Sequence, residues 1–349
     1  MPRDPSDRVK IEGMGKKPAT PRHFPRALKQ LERIAEELGA RFTTGAPKAL
    51  AHELAAILTV SARSVDAAAR KRARSWWDAL DRSGAEWKPA FLAAIRRDKS
   101  PTDADLATMT LLGQLELAKT TDAKGERRRA QVTSVAPLRA LALLEKLDVN
   151  CFGGVTDWPV LAELPRLREL AIHFALYDAA PLAKLVELRA LDLGENAVPN
   201  VTALRTLAKL ERLGLASNKV TSLAGIDAMR SLRWLHVDFN DELADLTPLA
   251  SHPRLEVFAC SYTKVADLRP LRGLPALRTI NLRYTDVRDL TPLAGCTALE
   301  TVSCTATRQT RGLMALASLP RLTKLVLGVE ARPSDVAELR KRRPDVDVR

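Results

Sequence analysis

The fold class this sequence predicts is an α/β solenoid with a parallel concave sheet, preceded by a small all-α domain. Three observations carry that prediction. A leucine pattern returns every 21 to 23 residues through the last two-thirds of the chain. A proline marker keeps a 22-residue period of its own. Aromatic residues are only 4% of the chain, and several fall either at helical spacing near the N-terminus or at equivalent positions of successive repeats.

Composition bounds the answer first. A chain of 349 residues with 46% hydrophobic content has room for one large or two modest domains with a sizeable core. Its charged start, from Met1 to Asp7, predicts no secretory signal. The absence of any run of about 18 apolar residues predicts no membrane span and no membrane partner. Cys151, Cys260, Cys296 and Cys304 lack metal-ligand spacing, which points to a reducing cytoplasm and calls for no metal or other cofactor. Residues 1–130 hold 26 Lys/Arg against 17 Asp/Glu, and the remainder holds 29 against 25. Any attraction for a polyanion therefore belongs to the N-terminal part.

Taken in order, residues 1–21 carry four prolines and mixed charge and are expected to be a disordered tail. Residues 22–98 predict a helical domain, with helices from Pro25 to Glu37, from Pro47 to Leu58 and from Ser61 to Arg82. Within residues 47–75, the stretch Glu53 to Val65 is similar to a helix-turn-helix DNA-binding motif. Ala55 stands at the helix contact, Val60 in the turn, Ser61 at the N-cap and Val65 as the inward anchor. That resemblance implies that Arg63, Arg70, Lys71 and Arg74 face phosphates or bases. Thr59 departs from it, since the turn position usually holds glycine. The competing reading is a plain helical hairpin with a solvated basic face. Trp87, Phe91 and Ile95, at i, i+4 and i+8, line a face that would cover the first coil of the solenoid. Thr102 and Asp105 have the spacing of a capping box.

The solenoid itself spans residues 99–349. Its defining inward position recurs at Leu147, Leu170, Leu191, Leu213, Leu235, Phe258, Ile280, Val302 and Leu325, with edge versions at Leu115-Glu116-Leu117 and Val346-Asp347-Val348. Pro137, Pro159 and Pro181 are 22 apart, as are Pro248, Pro270 and Pro292. Each alternating stretch, such as Leu191-Asp192-Leu193, reads as a short strand with one apolar face. Asn196, Asn218 and Asn240 follow at one offset, where an amide can bond the backbone of neighbouring coils. Thr263, Thr285 and Thr307 take that column later. The return segment Asp289 to Leu293 suits a short helical turn capped by Thr291, with Pro292 in its first turn. The extra residues between Leu115 and Leu147, Lys119 to Arg129, read as a basic loop. A final helix is expected to start at Ser334-Asp335, with Val336 and Leu339 inward and Arg340, Lys341, Arg342 and Arg343 outward.

These features resemble the leucine-rich-repeat family, in the 22-residue class of bacterial internalins and SDS22-type phosphatase regulators. The resemblance implies a curved arc whose concave sheet binds a protein. The asparagine column is filled in only three repeats, and the surface-anchoring features of internalins are missing.

A catalytic centre would have to start from His173, His236 and Asp238, or from a cysteine. Cys260, Cys296 and Cys304 sit at core positions, Cys151 is the one expected to be exposed, and no phosphate loop, zinc pair or nucleophile elbow is present. The expectation is a non-enzymatic protein. The register places Trp234, His236, Asp238, Phe239, Val257, Ser261, Tyr262, Thr279, Asn281, Arg283 and Tyr284 outward on the concave side. Of these, Trp234, His236, Asp238, Phe239, Tyr262, Asn281, Arg283 and Tyr284 are the expected protein-binding patch, because Trp, Tyr and Arg dominate interfaces. The sequence thus reads as an adaptor that grips a partner protein. A DNA-associated regulator acting through residues 47–75 is the first alternative, and the regulatory subunit of an enzyme is the second.

Overall fold

Each alternating stretch forms one short strand that turns its two inward residues into the core, while the return segment of the same coil buries its own leucines behind it. The structure, a computed structural model, describes residues 67–83, 87–94, 100–102, 105–106, 114–117, 120–121, 127–128, 130–152, 154–305, 311–329 and 331–349. Helices α1 (Ala67–Ser83) and α2 (Lys88–Ala94) come first. Strands β1 (Gln114–Leu117), β2 (Thr120–Thr121), β3 (Arg127–Arg128) and β4 (Ala130–Gln131) follow. The repeats then supply β5 (Lys146–Phe152), β6 (Glu169–His173), β7 (Ala190–Asp192), β8 (Arg212–Gly214) and β9 (Trp234–His236). The series continues with β10 (Val257–Ala259), β11 (Thr279–Asn281), β12 (Thr301–Cys304) and β13 (Lys324–Leu327), then helix α3 (Pro333–Arg342) and β14 (Asp347–Val348).

Twelve of these strands make one parallel sheet, ordered β1, then β5 through β14 in chain order, with β4 joined to the end of β5. The inward positions pair as the period requires: Leu115 with Leu147, then Leu170, Leu191, Leu213, Leu235, Phe258, Ile280, Val302 and Leu325. All are buried in one continuous core. At the last edge Val348, rather than Val346, faces Leu325. The segment expected as a loop at Lys119 to Arg129 contains a small antiparallel pair, β2 with β3. After it, β4 lies along the end of β5 and pairs Ala130 with Cys151. Cys151, expected to be exposed, is therefore fully buried. The seven-residue β5 extends the inward alternation from Leu147 and Val149 by one more position.

The return segments are 3₁₀ turns, such as Thr247–Leu249, Arg269–Leu271 and Thr291–Gly295, each with proline at its start. Thr291 is not the cap. Asp289 Oδ1 accepts from Thr291 N at 2.8 Å, and Asp245 and Asp267 do the same for Thr247 N and Arg269 N. A carboxylate two residues ahead reaches the free amide of the turn, whereas the threonine already lies inside it. Hydrogen bonds from Thr247, Arg269 and Thr291 hold these three carboxyls below the usual aspartate range.

Behind the strands an amide ladder ties the coils together. Asn218 Nδ2 donates to Leu193 O at 2.7 Å and Leu215 O at 3.1 Å, while its Oδ1 accepts from Val198 N at 3.0 Å. Asn196 and Asn240 bond in the same fashion. Thr263 and Thr285 reach only their own coil, at Cys260 O and Leu282 O, because a hydroxyl is too short to span two. Thr307 lies outside the described residues. Along the strand entrances charges alternate by coil, and Arg189 pairs with Glu211, Arg233 with Glu256 and Arg278 with Glu300. Such exposed pairs contribute little individually, but their alternation keeps the solenoid near neutrality.

Both ends of the core are covered. Trp87 and Phe91 are fully buried, with Trp87 Nε1 donating to Ser134 O and Trp76 Nε1 to Pro137 O of the first turn. Ile95 lies outside the described residues. The capping box at Thr102 and Asp105 is formed in both directions. At the other end Pro333, not Ser334, opens α3, and Leu339 is buried under it. Arg343 does not point outward. Its guanidinium donates to Ala317 O, Leu319 O and Leu322 O, satisfying carbonyls that have no further coil to bond. The repeats, α2 and α1 from Arg70 onward form one compact unit.

Candidate protein-binding face

Each coil offers two or three side chains to the concave side, then one residue at the strand exit. At that exit Phe174, Glu195, Ser217, Phe239, Tyr262 and Tyr284 all have positive φ, between +55° and +63°. The chain must turn sharply there to start its return, so the left-handed conformation belongs to the position and not to the residue occupying it. The coils remain in register through the turn, with Phe239 N bonded to Ser261 O and Tyr262 N to Arg283 O. Aromatic side chains in three successive coils are thereby stacked. Phe239 and Tyr262 lie 4.4 Å apart at 11°, and Tyr262 and Tyr284 lie 4.3 Å apart at 16°. The three are 52%, 42% and 46% exposed. Loss of solvent around the Tyr262 hydroxyl, with that of Tyr284 beside it, pushes its pKa up.

Trp234 and His236 form a second stack beside the column, 3.6 Å apart at 27°. Burial pushes the His236 pKa down, against the pull of Asp238 and Asp192. Its Nδ1 is 3.9 Å from Asp238 Oδ2, while Asp238 Oδ1 accepts from Ser261 N at 2.6 Å. Arg283 donates to Thr305 Oγ1 at 2.9 Å, and the half-buried Asn281 accepts from Arg283 N through its Oδ1 at 3.4 Å. The expected patch residues therefore stand together on one side of the sheet. Ser261, expected outward, is buried, since its short side chain lies between Asp238 and Arg283 of the flanking coils.

Sequence reasoning missed a shallow depression of about 320 Å³ on the same face, between β5 and β9. Its floor is low because Ala171 and Ala190 are small. Across Ala190, Arg212 reaches Glu169 at 3.2 Å, and Lys146 meets the same carboxylate at 3.4 Å. His173 Nδ1 lies 2.9 Å from Gly194 O, a contact that places the proton on that nitrogen. The small residues stand in both concave columns, Ala190 in the first and Ala171 in the second, so neither column read alone shows the depression.

The cysteines offer no nucleophile. All four are buried, and burial pushes the Cys304 thiol up to about 12 and that of Cys260 higher. Among the described residues no group of three or more His, Cys, Asp or Glu side chains is placed to hold a metal. No described helix is long and apolar enough to cross a membrane. Of the nucleic-acid candidates, Arg63 lies outside the described residues and Arg70 lies in α1. Lys71 is exposed, and Arg74 donates to Pro101 O at 3.0 Å.

No protein-family model matches the chain, and no curated protein sequence does. Solved structures do. Internalin C2 of Listeria monocytogenes superposes with a TM-score of 0.52 at 26% identity, over 63% of this chain and 92% of that one. Toll in the Toll–Spatzle complex, from Drosophila, gives 0.50 at 17% identity, over 56% and 28%. The leucine-rich-repeat domain of APL1 gives 0.50 at 16% identity, over 64% and 59%. With the 22-residue register and the all-parallel sheet, these likenesses make the chain a leucine-rich-repeat solenoid.

Proposed function

We propose that the chain is a non-catalytic interaction protein that holds a partner protein against the concave face around Phe239, Tyr262 and Tyr284. The observation that carries this reading is the column itself, three stacked rings each about half exposed in successive coils. Exposed aromatic surface of this extent is a mark of interfaces. Trp234, His236, Asp238, Asn281 and Arg283 supply the flanking contacts. The same fold occurs in a complex of two proteins, Toll with Spatzle. Four buried cysteines, none in a disulfide, support a reducing, cytoplasmic setting. Truncating Trp234, Tyr262 or Tyr284 to Ala should each cost about 2 kcal/mol or more of binding, with little change in melting. Lys184→Ala on the convex side serves as control. Calorimetry with peptide or protein binders selected against the intact chain measures this. Normal binding by the three variants, with loss in the control, refutes the reading.

A second reading, nucleic-acid binding through the N-terminal basic helices, is favoured by exposed Lys71 and Arg72 on α1 and by the basic excess of residues 1–130. It requires duplex DNA affinity that falls steeply with salt and is lost in an Arg63→Glu, Arg70→Glu, Lys71→Glu variant. An electrophoretic shift absent even at low salt would retire it.

A further inference from the structure

The aromatic column stops abruptly at one end. Tyr262 covers one face of the Phe239 ring. The other face looks toward the next coil, where the equivalent residue is Ser217, too short to cover it. One coil further stands Glu195, exposed like Ser217 and with the same left-handed backbone. Ser217 N bonds Asp238 O and Glu195 N bonds Ala216 O, so the coils stay in register and the spacing is that of neighbouring strands. Two strand spacings, about 9.6 Å, separate the Phe239 and Glu195 positions. The result is a slot one ring thick, floored by Ser217, with an aromatic face on one wall and a carboxylate on the other. On its inner side the preceding residues are Gly194, with Asp192 and His173 against it, and half-buried Ala216.

Carboxylates predominate around the slot. Asp192, Glu195 and Asp238 all lie in the three coils that form it, and Arg212, the concave cation of those coils, is paired with Glu169 at 3.2 Å. Lys219 lies two residues beyond Ser217, past buried Asn218 and already on the return segment. We propose that the slot receives an arginine side chain of the partner protein, its guanidinium lying flat on the open face of Phe239 and paired with Glu195. A guanidinium is planar, stacks on aromatic faces and presents a fork that matches a carboxylate. Stacked at the spacing already seen between Phe239 and Tyr262, it leaves about 5 Å to the Glu195 position, within reach of that side chain. A lysine ammonium has no plane to stack, and a neutral ring would leave the carboxylates unanswered. This inference rests on the concave-face reading above and specifies what the partner brings to it.

The test uses the intact chain and a displayed random peptide library as the probe. Enriched peptides are synthesised and titrated calorimetrically against the parent and against Glu195→Gln, Ser217→Tyr, Trp234→Ala and Tyr284→Ala. Ser217→Tyr is the sharpest variant, because it fills the slot with a fourth ring on a backbone that already carries three. Circular dichroism melts confirm that each variant is folded. The expected result is a shared arginine whose replacement by lysine or citrulline weakens binding tenfold or more. Glu195→Gln and Ser217→Tyr should each weaken the arginine peptide by a similar factor and leave its lysine version unchanged. Peptides that lose affinity to Trp234→Ala or Tyr284→Ala yet need no arginine and ignore Ser217→Tyr overturn the slot and leave the concave-face reading standing. Peptides indifferent to all four variants, or no enrichment, count against both.

Discussion

Replacing Asn240 with alanine probes the amide ladder at its most enclosed rung. The residue is fully buried, and its Nδ2 donates to Leu215 O at 2.9 Å and Val237 O at 2.8 Å while its Oδ1 accepts from Val220 N at 2.8 Å. Alanine removes the partner of Val220 N and the amide donor of Val237 O. Leu215 O retains Asn218 at 3.1 Å. Two orphaned buried groups at about 1–3 kcal/mol each put the loss near 4 kcal/mol. Thr263→Val, which removes a single bond to Cys260 O, should cost only about 1 kcal/mol. Because Leu215 O serves both amides, the double variant Asn218→Ala, Asn240→Ala should lose more than the sum of its parts. Urea unfolding followed by circular dichroism and by tryptophan fluorescence measures the parent, the single variants Asn218→Ala, Asn240→Ala and Thr263→Val, and the double variant. Agreement of the two probes shows whether the solenoid melts as a unit. A loss below about 1 kcal/mol for Asn240→Ala, or one no larger than that of Thr263→Val, would refute the ladder as a source of stability.

Two further outcomes test the core. Leu235→Asp buries an unpaired charge at the paired inward position and should lower stability by at least about 3 kcal/mol; a melt equal to the parent's would disprove the register. His252 occupies a leucine position in line with Leu207 and Leu274, and its Nε2 donates to Met229 O while Nδ1 is buried without a partner. Burial holds its pKa below the usual 6.5, so the unfolded chain takes the proton first as pH falls. Its contribution to stability is whole above about 6.5 and is lost as pH falls from there toward the depressed native value. His252→Leu should raise stability and flatten this acid limb, leaving the share of His236, whose pKa is shifted in the same direction. An unchanged slope between pH 6.5 and 5 in denaturation midpoints would count against it.

The period made most of the arc legible, since every inward residue from Leu147 to Leu325 pairs where its spacing puts it. What escaped the sequence was local. Asp289 displaces Thr291 as the cap because 3₁₀ turns leave their free amide one residue earlier than the helix pattern anticipates. Arg343 folds inward because the final coil leaves carbonyls that only a long donor can reach, a demand invisible until the last strand is placed. Cys151 is buried because an insertion of no repeat character returns as a strand beside it. On the face, the polar or apolar nature of each outward residue was readable, but its depth was not. Ser261 is buried and Tyr262 exposed, and the difference lies in the lengths of their neighbours one coil away.

The left-handed exit position is where fold and function part company. Backbone geometry imposes positive φ there on six coils, and glycine or asparagine would adopt it most easily. The chain places neither at those six positions. A bulky residue in that conformation costs about 1 kcal/mol or more, hence about 3 kcal/mol for Phe239, Tyr262 and Tyr284 together. Two ring pairs return about 0.5–1.5 kcal/mol each beyond the area they bury, which offsets much of the strain. Roughly half of each ring still faces solvent, where it stabilises nothing within the chain. Those exposed halves, in three adjacent coils, are the part of the column that the stability of the solenoid does not explain and that the proposed binding face would use.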